Sequence, residues 1–244
     1  MTLRAVLLDV DDTLVDTRGA FRAAITAVVA TWLPHLDADG CEAAVQHWAL
    51  DRAGHFRAYT RGEVDFATQR RRRAADLHEA FGGPRLDDEG ARRWDTGYED
   101  AFRRAWRPCP DALPFLAVVR GTGLPVAAVT NMLTSYQVAK LDAVGLAHAV
   151  RVVVGLDVVG VGKPDPRPFL HACALLGVEP GEAAYVGDEL DVDARAARDA
   201  GLLGVWLDRH GSGLEPGDVP VVRTLGEVPD LLGLTPPRAS SPGF

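Results

Sequence analysis

Leu3 to Leu8 form an apolar run, interrupted only by Arg4, that leads straight into Asp9-Val10-Asp11-Asp12. An apolar run bounded by a polar turn reads as a central strand of a parallel sheet. The carboxylates then stand at its carboxyl end, where ligands bind in an open α/β sheet. Three carboxylates within four residues repel one another and are costly to bury unpaired, so a bound cation is the simple relief. An acidic turn or a helix cap uses the same residue types. The pattern D-x-D-x-T therefore takes its meaning from three further segments.

Residues 124–131, Leu-Pro-Val-Ala-Ala-Val-Thr-Asn, are again an apolar strand, ending in Thr130 and Asn131. A hydroxyl and an amide can both donate to phosphoryl oxygens. In Val161-Gly162-Lys163-Pro164-Asp165-Pro166 a lysine precedes a proline-rich entry to a helix expected from about Arg167, and the prolines stiffen that approach. Ala184-Tyr185-Val186-Gly187-Asp188 is a strand followed by Glu189, Asp191 and Asp193. A helix expected over Ala194 to Ala200 would favour a phosphate or carboxylate near its start.

In this order the four segments resemble the haloacid dehalogenase superfamily, and the intervening Gln137, Lys140-Leu141, Gly145-Leu146, Gly160, Ala197 and Ala200-Gly201 look like its helical-cap branch. The resemblance covers nearly all of residues 3–210. It implies a Rossmann-like three-layer α/β/α core with a parallel sheet and an inserted helical cap. It also implies a phosphatase in which Asp9 is the nucleophile that forms an aspartyl-phosphate, and Asp11 the acid that protonates the leaving oxygen and then the base toward water. Asp9, the backbone carbonyl of Asp11 and Asp188 would hold Mg²⁺, with Asp193 in support and Asp191 as its alternative. Thr130 and the Asn131 backbone would bind the phosphoryl group, and Lys163 would offset its charge. Thr13 is expected to order the turn.

Only two of the 26 cationic residues are lysines, Lys140 and Lys163. A chain that writes cation as arginine has kept a compact ammonium where the motif needs one, since the two side chains are not interchangeable there. That logic favours Lys163; Lys140 is as readily a plain surface lysine. Asp12 stands where glycine is frequent in the family. Met132 and Leu156 depart from the usual glycine and serine and are expected to reshape a substrate pocket. Glu189 and Val192 depart from the pattern around the outer metal ligands.

Within the superfamily, haloacid dehalogenases lack the second acid of the first motif, so Asp11 points to phosphoryl transfer. A cap without lysine disfavours imine-forming chemistry. The expected substrate is a small phosphorylated metabolite: a sugar phosphate, a nucleoside monophosphate or a phospho-acid. A sugar-phosphate mutase is the alternative enzyme, and a catalytically idle binding or regulatory protein is the alternative of another class.

The net charge of −8 disfavours nucleic acid and anionic lipid as partners, and no run approaches the ~20 apolar residues of a membrane span. Three widely spaced cysteines and the absence of a leader fit a reducing cytoplasm; a monomer or homodimer is expected, with nothing in the sequence to decide between them. About 90 residues separate the first two motifs, too many for a loop. Helical patterns run through about Arg18–Trp32, Cys41–Tyr59, Val64–Phe81 and Asp87–Trp106, so residues 17–107 read as a helical cap and 1–16 with 108–234 as the core. Later core strands are expected at 125–129, 151–155, 183–187, 203–207 and 219–222, and a disordered tail over 235–244. Within the cap, His47, Asp51 and His55 recur at i, i+4 and i+8 as a conceivable but unmotivated metal face, a packed or solvated face being the better account. Arg70 to Arg73 point all round a helix, mostly toward solvent or acidic neighbours. The cap tryptophans are expected to pack.

Overall fold

The computed structural model describes residues 2–234; the expected tail, 235–244, lies outside them. The described residues divide into two compact units, one of residues 2–15 and 108–234 and one of 16–107.

The first unit is built on β1 (Ala5–Leu8), β2 (Val126–Val129), β3 (Val152–Val154), β4 (Ala183–Gly187), β5 (Leu203–Leu207) and β6 (Val221–Val222). They form one sheet in the order β3-β2-β1-β4-β5-β6, every neighbouring pair parallel. β1 and β4 are buried at every residue, which is why they read as continuous apolar runs. Among the described residues, the helices of this unit follow those of the other in sequence. They are α6 (Ala112–Thr122), α7 (Thr134–Ala143), α8 (Leu156–Val159), α9 (Arg167–Leu176), α10 (Ala196–Asp199) and α11 (Val228–Leu232).

Successive strand side chains alternate between faces, and two cores result. Val6, Leu8, Ala128 and Val186 pack with Phe115 and Val119 of α6, Leu141 of α7 and Val228 of α11. Ala5, Leu7, Ala127 and Tyr185 pack with Phe169 and Ala172 of α9 and Ala197 of α10. The chain runs outward from β1 through β2 to β3, then crosses back to β4 beside β1. The strand order therefore reverses between β1 and β4, the point at whose carboxyl ends open α/β sheets bind ligands. The stretch expected as one helix from Ala194 begins earlier, as a π-helical turn over Leu190–Arg195 that continues into α10. It lies so close on β5 that a Cβ at Gly204 would collide with the Ala194 carbonyl.

The second unit holds α1 (Thr17–Trp32), α2 (Ala38–Leu50), α3 (His55–Thr60), α4 (Phe66–Ala80) and α5 (Asp88–Arg104). Asp16, Asp37, Asp65 and Asp87 each cap the helix that follows by accepting a backbone N–H. Its interior is aromatic. Phe21 stacks on Phe102 at 4.9 Å, and Trp48, Trp94 and Tyr98 stand 5.0–5.5 Å from one another.

Two expectations for this unit need correction. The single helix expected over 41–59 is two, because Asp51 turns left-handed at φ 40° and its carboxylate accepts from the N–H groups of His55 and Phe56. His47, Asp51 and His55 thus share no helix face, and His47 instead bonds Asp76 at 2.8 Å. Of the four arginines, Arg71 and Arg72 are exposed and Arg70 and Arg73 meet acidic neighbours as expected, Asp95 and Glu99 at 3.4 and 3.5 Å and Asp51 at 3.7 Å, but Arg70 is buried and the Arg73 guanidinium nearly so. They lie over the Tyr98 and Trp48 rings at 4.1 and 3.9 Å.

Candidate active site

The site grows from the ends of three strands and one loop. After β1, the Asp9 N–H still donates to Val186 at 2.9 Å, so its side chain is fixed by the last rung of the sheet. The chain then turns sharply. Asp12 is left-handed at φ 58° and its N–H reaches Val15 at 2.7 Å. That conformation favours glycine, and aspartate is among the few other residues that tolerate it. After β2, Asn131 and Lys163 pair reciprocally: the Asn131 amide donates to the Lys163 carbonyl at 2.8 Å and accepts the Lys163 N–H at 2.6 Å. The approach excludes any side chain at Gly162, whose Cβ would collide with that amide.

Lys163 is thereby delivered to the centre. Its ammonium donates to Asp9 Oδ1 at 2.6 Å, Asp193 Oδ1 at 2.6 Å and the Tyr185 hydroxyl at 2.8 Å. Tyr185 in turn donates to Asp193 Oδ1 at 2.9 Å or the Val129 carbonyl at 3.2 Å, and Glu189 N–H donates to Asp193 Oδ2 at 3.0 Å. Burial pulls the Lys163 pKa down, but Asp193 and Asp9 overcome it and the group lies above its ordinary value. Lys163 is a permanent cation here.

One cation does not balance this cluster. Asp9, Asp188 and Asp193 each offer an oxygen, all within 4.8 Å of one another. Burial, followed by the charges of its neighbours Asp193 and Asp11, raises Asp9 from 3.8 to about 8 despite the Lys163 contact. Burial and the same crowding, led by Asp193, raise Asp188 well above the carboxylate range. Three converging carboxylate oxygens with surplus negative charge are a donor set that a hard divalent cation fits. Asp191 takes no part in it. Its side chain is mostly exposed and pairs with Arg195 at 2.6 Å, so the structure favours Asp193 of the two alternatives.

The Asp11 carboxylate is outside this cluster and engages α7 instead. Lys140 Nζ donates to Oδ1 at 2.5 Å and Gln137 Nε2 to Oδ2 at 2.6 Å; Gln137 Nε2 also lies 2.9 Å from Thr130 Oγ1. Lys140 is 2% exposed, which overturns its reading as a plain surface lysine. The signal was available: Gln137 and Lys140 stand at i and i+3, one face of a helix, and Lys140 is one of two lysines in an arginine-writing chain.

Two further groups escaped the motif reading. Arg209, just after β5, donates to the carbonyls of Asp12 at 3.0 Å and Thr13 at 2.8 Å and forks onto Asp111 at 2.7 and 2.9 Å. It braces the turn that carries Asp11. The Tyr185 hydroxyl was hidden inside a strand. Conversely, Met132 and Leu156 are buried and their backbones bond each other at 3.0 Å, while Asp157 ties down the Thr134 N–H and hydroxyl at the start of α7, both at 2.8 Å.

Fold and site together define an α/β scaffold with carboxylates gathered around a buried ammonium at a strand-order reversal. Residues 3–201 match the haloacid dehalogenase-like hydrolases, and the chain belongs to that family. It is 34% identical over 241 residues to the phosphoserine phosphatase of Thermus thermophilus, covering 88% of this chain and 92% of that one. It is 33% identical over 216 residues to the glyceraldehyde 3-phosphate phosphatase of Methanopyrus kandleri, covering 85% and 84%. Among solved structures, the magnesium-bound HAD-hydrolase YfnB of Bacillus subtilis superposes with a TM-score of 0.76 at 20% identity, covering 95% of this chain and 99% of that one. The sequence resemblance and the α/β fold are thus borne out.

Proposed function

We propose that the chain is a Mg²⁺-dependent phosphatase of a small phosphomonoester, working through an aspartyl-phosphate. The observation that carries this reading is the spacing of two acids with opposite environments. Asp9 sits in the carboxylate cluster on Lys163, and Asp11, two residues on, is held apart from it by α7. Burial holds a proton on metal-free Asp9, and a divalent cation on its carboxylate would favour the ionised nucleophile, while the Asp11 carboxylate stands apart from those oxygens on α7.

In this reading Asp9 Oδ attacks phosphorus as the ester P–O bond breaks, and Asp11 gives its proton to the departing alkoxide. Asp11, now a carboxylate, takes a proton from the water that hydrolyses the aspartyl-phosphate. Thr130 and the Asn131 backbone bind phosphoryl oxygens, and Lys163 offsets the charge shared by nucleophile and phosphoryl group. Asp9, the Asp11 carbonyl and Asp188 would hold Mg²⁺, steadied by Asp193, and the ion would supply Lewis-acid stabilisation of the phosphoryl oxygens when bound. Residues 17–107 act as the cap that selects the leaving group.

The relatives named for phosphoserine and glyceraldehyde 3-phosphate support a substrate of a few carbons bearing one phosphate. No helix of the described residues is long and apolar enough to cross a membrane, and Cys41, Cys109 and Cys173 are free, which supports a reducing cytoplasmic setting. The test is phosphate release from a panel of phosphomonoesters in Mg²⁺ or EDTA, with wild type and Asp9→Asn. Metal-dependent release that Asp9→Asn abolishes is the expected result; release that survives it would sink the mechanism.

A further inference from the structure

Lys140 poses a physical problem that the mechanism above leaves unused. Withdrawing an ammonium from water costs several kcal/mol unless it is paired and hydrogen-bonded, and this one is withdrawn almost completely. Its carboxylate partner is not a bystander but Asp11, at 2.5 Å. The second oxygen of the same carboxylate takes the Gln137 amide at 2.6 Å, and that amide nitrogen is also 2.9 Å from Thr130 Oγ1. One helix thus grips both oxygens of Asp11 and touches the phosphoryl-binding threonine.

We infer that Lys140 and Gln137 are positioning residues for Asp11, fixing the orientation in which its carboxyl passes a proton to the leaving oxygen. The inference rests on the reading of Asp11 as acid and base. A free carboxyl group rotates about its Cα–Cβ and Cβ–Cγ bonds, and a donor on each oxygen stops both rotations. A carboxylate has about four acceptor positions, so the two donors do not exhaust it. The proton inventory is unchanged. The Asp11 proton passes to the ester oxygen as P–O breaks and is replaced from the attacking water, while Lys140 and Gln137 keep theirs throughout. Gln137 adds a link to Thr130, so that acid and phosphoryl group are placed by one side chain. Lys140 reaches Asp11 from α7, which begins where Asp157 ties down Thr134; the acid is thereby referred to the sheet edge at β3 rather than to its own turn alone.

The test exploits the leaving group. An alkoxide needs the proton of Asp11 to depart, whereas p-nitrophenolate does not, and kcat/KM reports only steps through departure of the alcohol. With phosphoglycolate or another alkyl ester that turns over, Asp11→Asn should lower kcat/KM by about 10²–10⁴-fold, with a far smaller change on p-nitrophenyl phosphate. Lys140→Met should reproduce that split, about 30-fold or more on the alkyl ester and within about threefold on the aryl ester. Gln137→Leu should show the same split with an added rise in KM through Thr130. Lys140→Gln, which keeps a neutral donor of similar reach, should fall between wild type and Lys140→Met and serves if Lys140→Met does not fold. Adding Lys140→Met to Asp11→Asn should cost no more than Asp11→Asn alone.

Equal losses on both esters for the Lys140 variants, or losses that add to those of Asp11→Asn, would show a merely structural lysine and overturn the inference. If Asp11→Asn itself shows no split, Asp11 is not the acid and the inference falls with that assignment, while the phosphatase reading is judged separately by Asp9→Asn.

Discussion

Each unit of this protein buries cations, and the two solve the problem differently. In the core, Lys163 lies within 2.6–2.8 Å of Asp9, Asp193 and Tyr185, and these neighbours hold its pKa above the ordinary lysine value. In the inserted unit, Arg73 lies over Trp48 at 3.9 Å and donates to the Trp48 carbonyl at 2.7 Å, with its nearest carboxylate, Asp51, 3.7 Å away. Burial there outweighs Tyr98 and Asp51 and lowers Arg73 from 12.5 to about 10. The first cation is held by carboxylates and a phenol, the second by the quadrupole faces of rings and a carbonyl. A buried charge on carboxylates organises chemistry; a buried charge on aromatic rings organises packing.

That distinction predicts its largest effect at Lys163. Lys163→Met leaves Asp9 and Asp193 buried without their cation, which costs about 3–5 kcal/mol of stability. It also removes a charge from the phosphoryl site, so kcat should fall by at least about 10²–10³-fold. Urea unfolding and initial rates measured on the same preparation check both. A variant that loses stability but keeps its turnover would place Lys163 among the packing cations and erase the contrast.

Next in size is the pH dependence of the metal-free core. The folded Asp9 carboxyl, raised to about 8 by burial, holds a proton between about pH 4 and 8 that the unfolded chain has released. The folded state therefore binds more protons in that window, and its stability must fall as pH rises through it; Asp188, also raised, acts in the same direction. Arg73 stays charged throughout and adds no slope. In EDTA, urea midpoints should drop between pH 5 and 8.5. Mg²⁺ should restore most of the loss at 8.5 and little at 5, where the proton competes for the same oxygens. A flat profile in EDTA would mean that the three carboxylates are not crowded as described.

The same contrast explains what could be read from the residues alone. Asp9, Thr130, Asn131, Lys163 and Asp188 each follow a strand or loop signal within a few positions, so local pattern sufficed to find them. Lys140 and Gln137 meet Asp11 from more than a hundred residues away, and Arg209 meets Asp12 and Thr13 across a still longer gap; only the closure of the sheet creates those contacts. In the inserted unit the helical periods were legible because the unit has one aromatic interior to bury. The break after Leu50 uses two left-handed residues, Asp51 at φ 40° and Gly54 at φ 71°; the glycine was a legible signal, whereas an aspartate that caps the next helix was not. That Arg70 and Arg73 would meet acidic neighbours was legible, but their burial on ring faces was not, because Trp48 and Tyr98 reach them from other helices.

At Arg73 a smaller effect is expected. Arg73→Met keeps most of the volume and the contact with Trp48 but loses the cation-π attraction and the bond to the Trp48 carbonyl, for about 1–3 kcal/mol. Turnover of p-nitrophenyl phosphate should stay within about threefold of wild type, an allowance below the ~10-fold effect of 1.4 kcal/mol on a barrier. A collapse of kcat comparable with that of Lys163→Met would break the comparison and make this arginine functional.

The smallest effect tests whether Asp51 is a cap or a ligand. Its carboxylate accepts from His55 N–H at 3.1 Å and Phe56 N–H at 2.9 Å, and its backbone stands at φ 40°. Asp51→Ala loses the cap and keeps a Cβ in a left-handed position, which should cost about 1–2 kcal/mol. Asp51→Gly loses the same cap but relieves the backbone, so it should be the milder substitution by about 1 kcal/mol. A metal ligand would show the opposite signature. Both substitutions would then be equally damaging, and added divalent metal would raise the unfolding midpoint of wild type but of neither variant through this unit. Thermal unfolding of the three proteins in EDTA and in Zn²⁺ separates the cases. The ordering Ala below Gly below wild type, unmoved by metal, is the one that an aspartate acting as a left-handed cap requires.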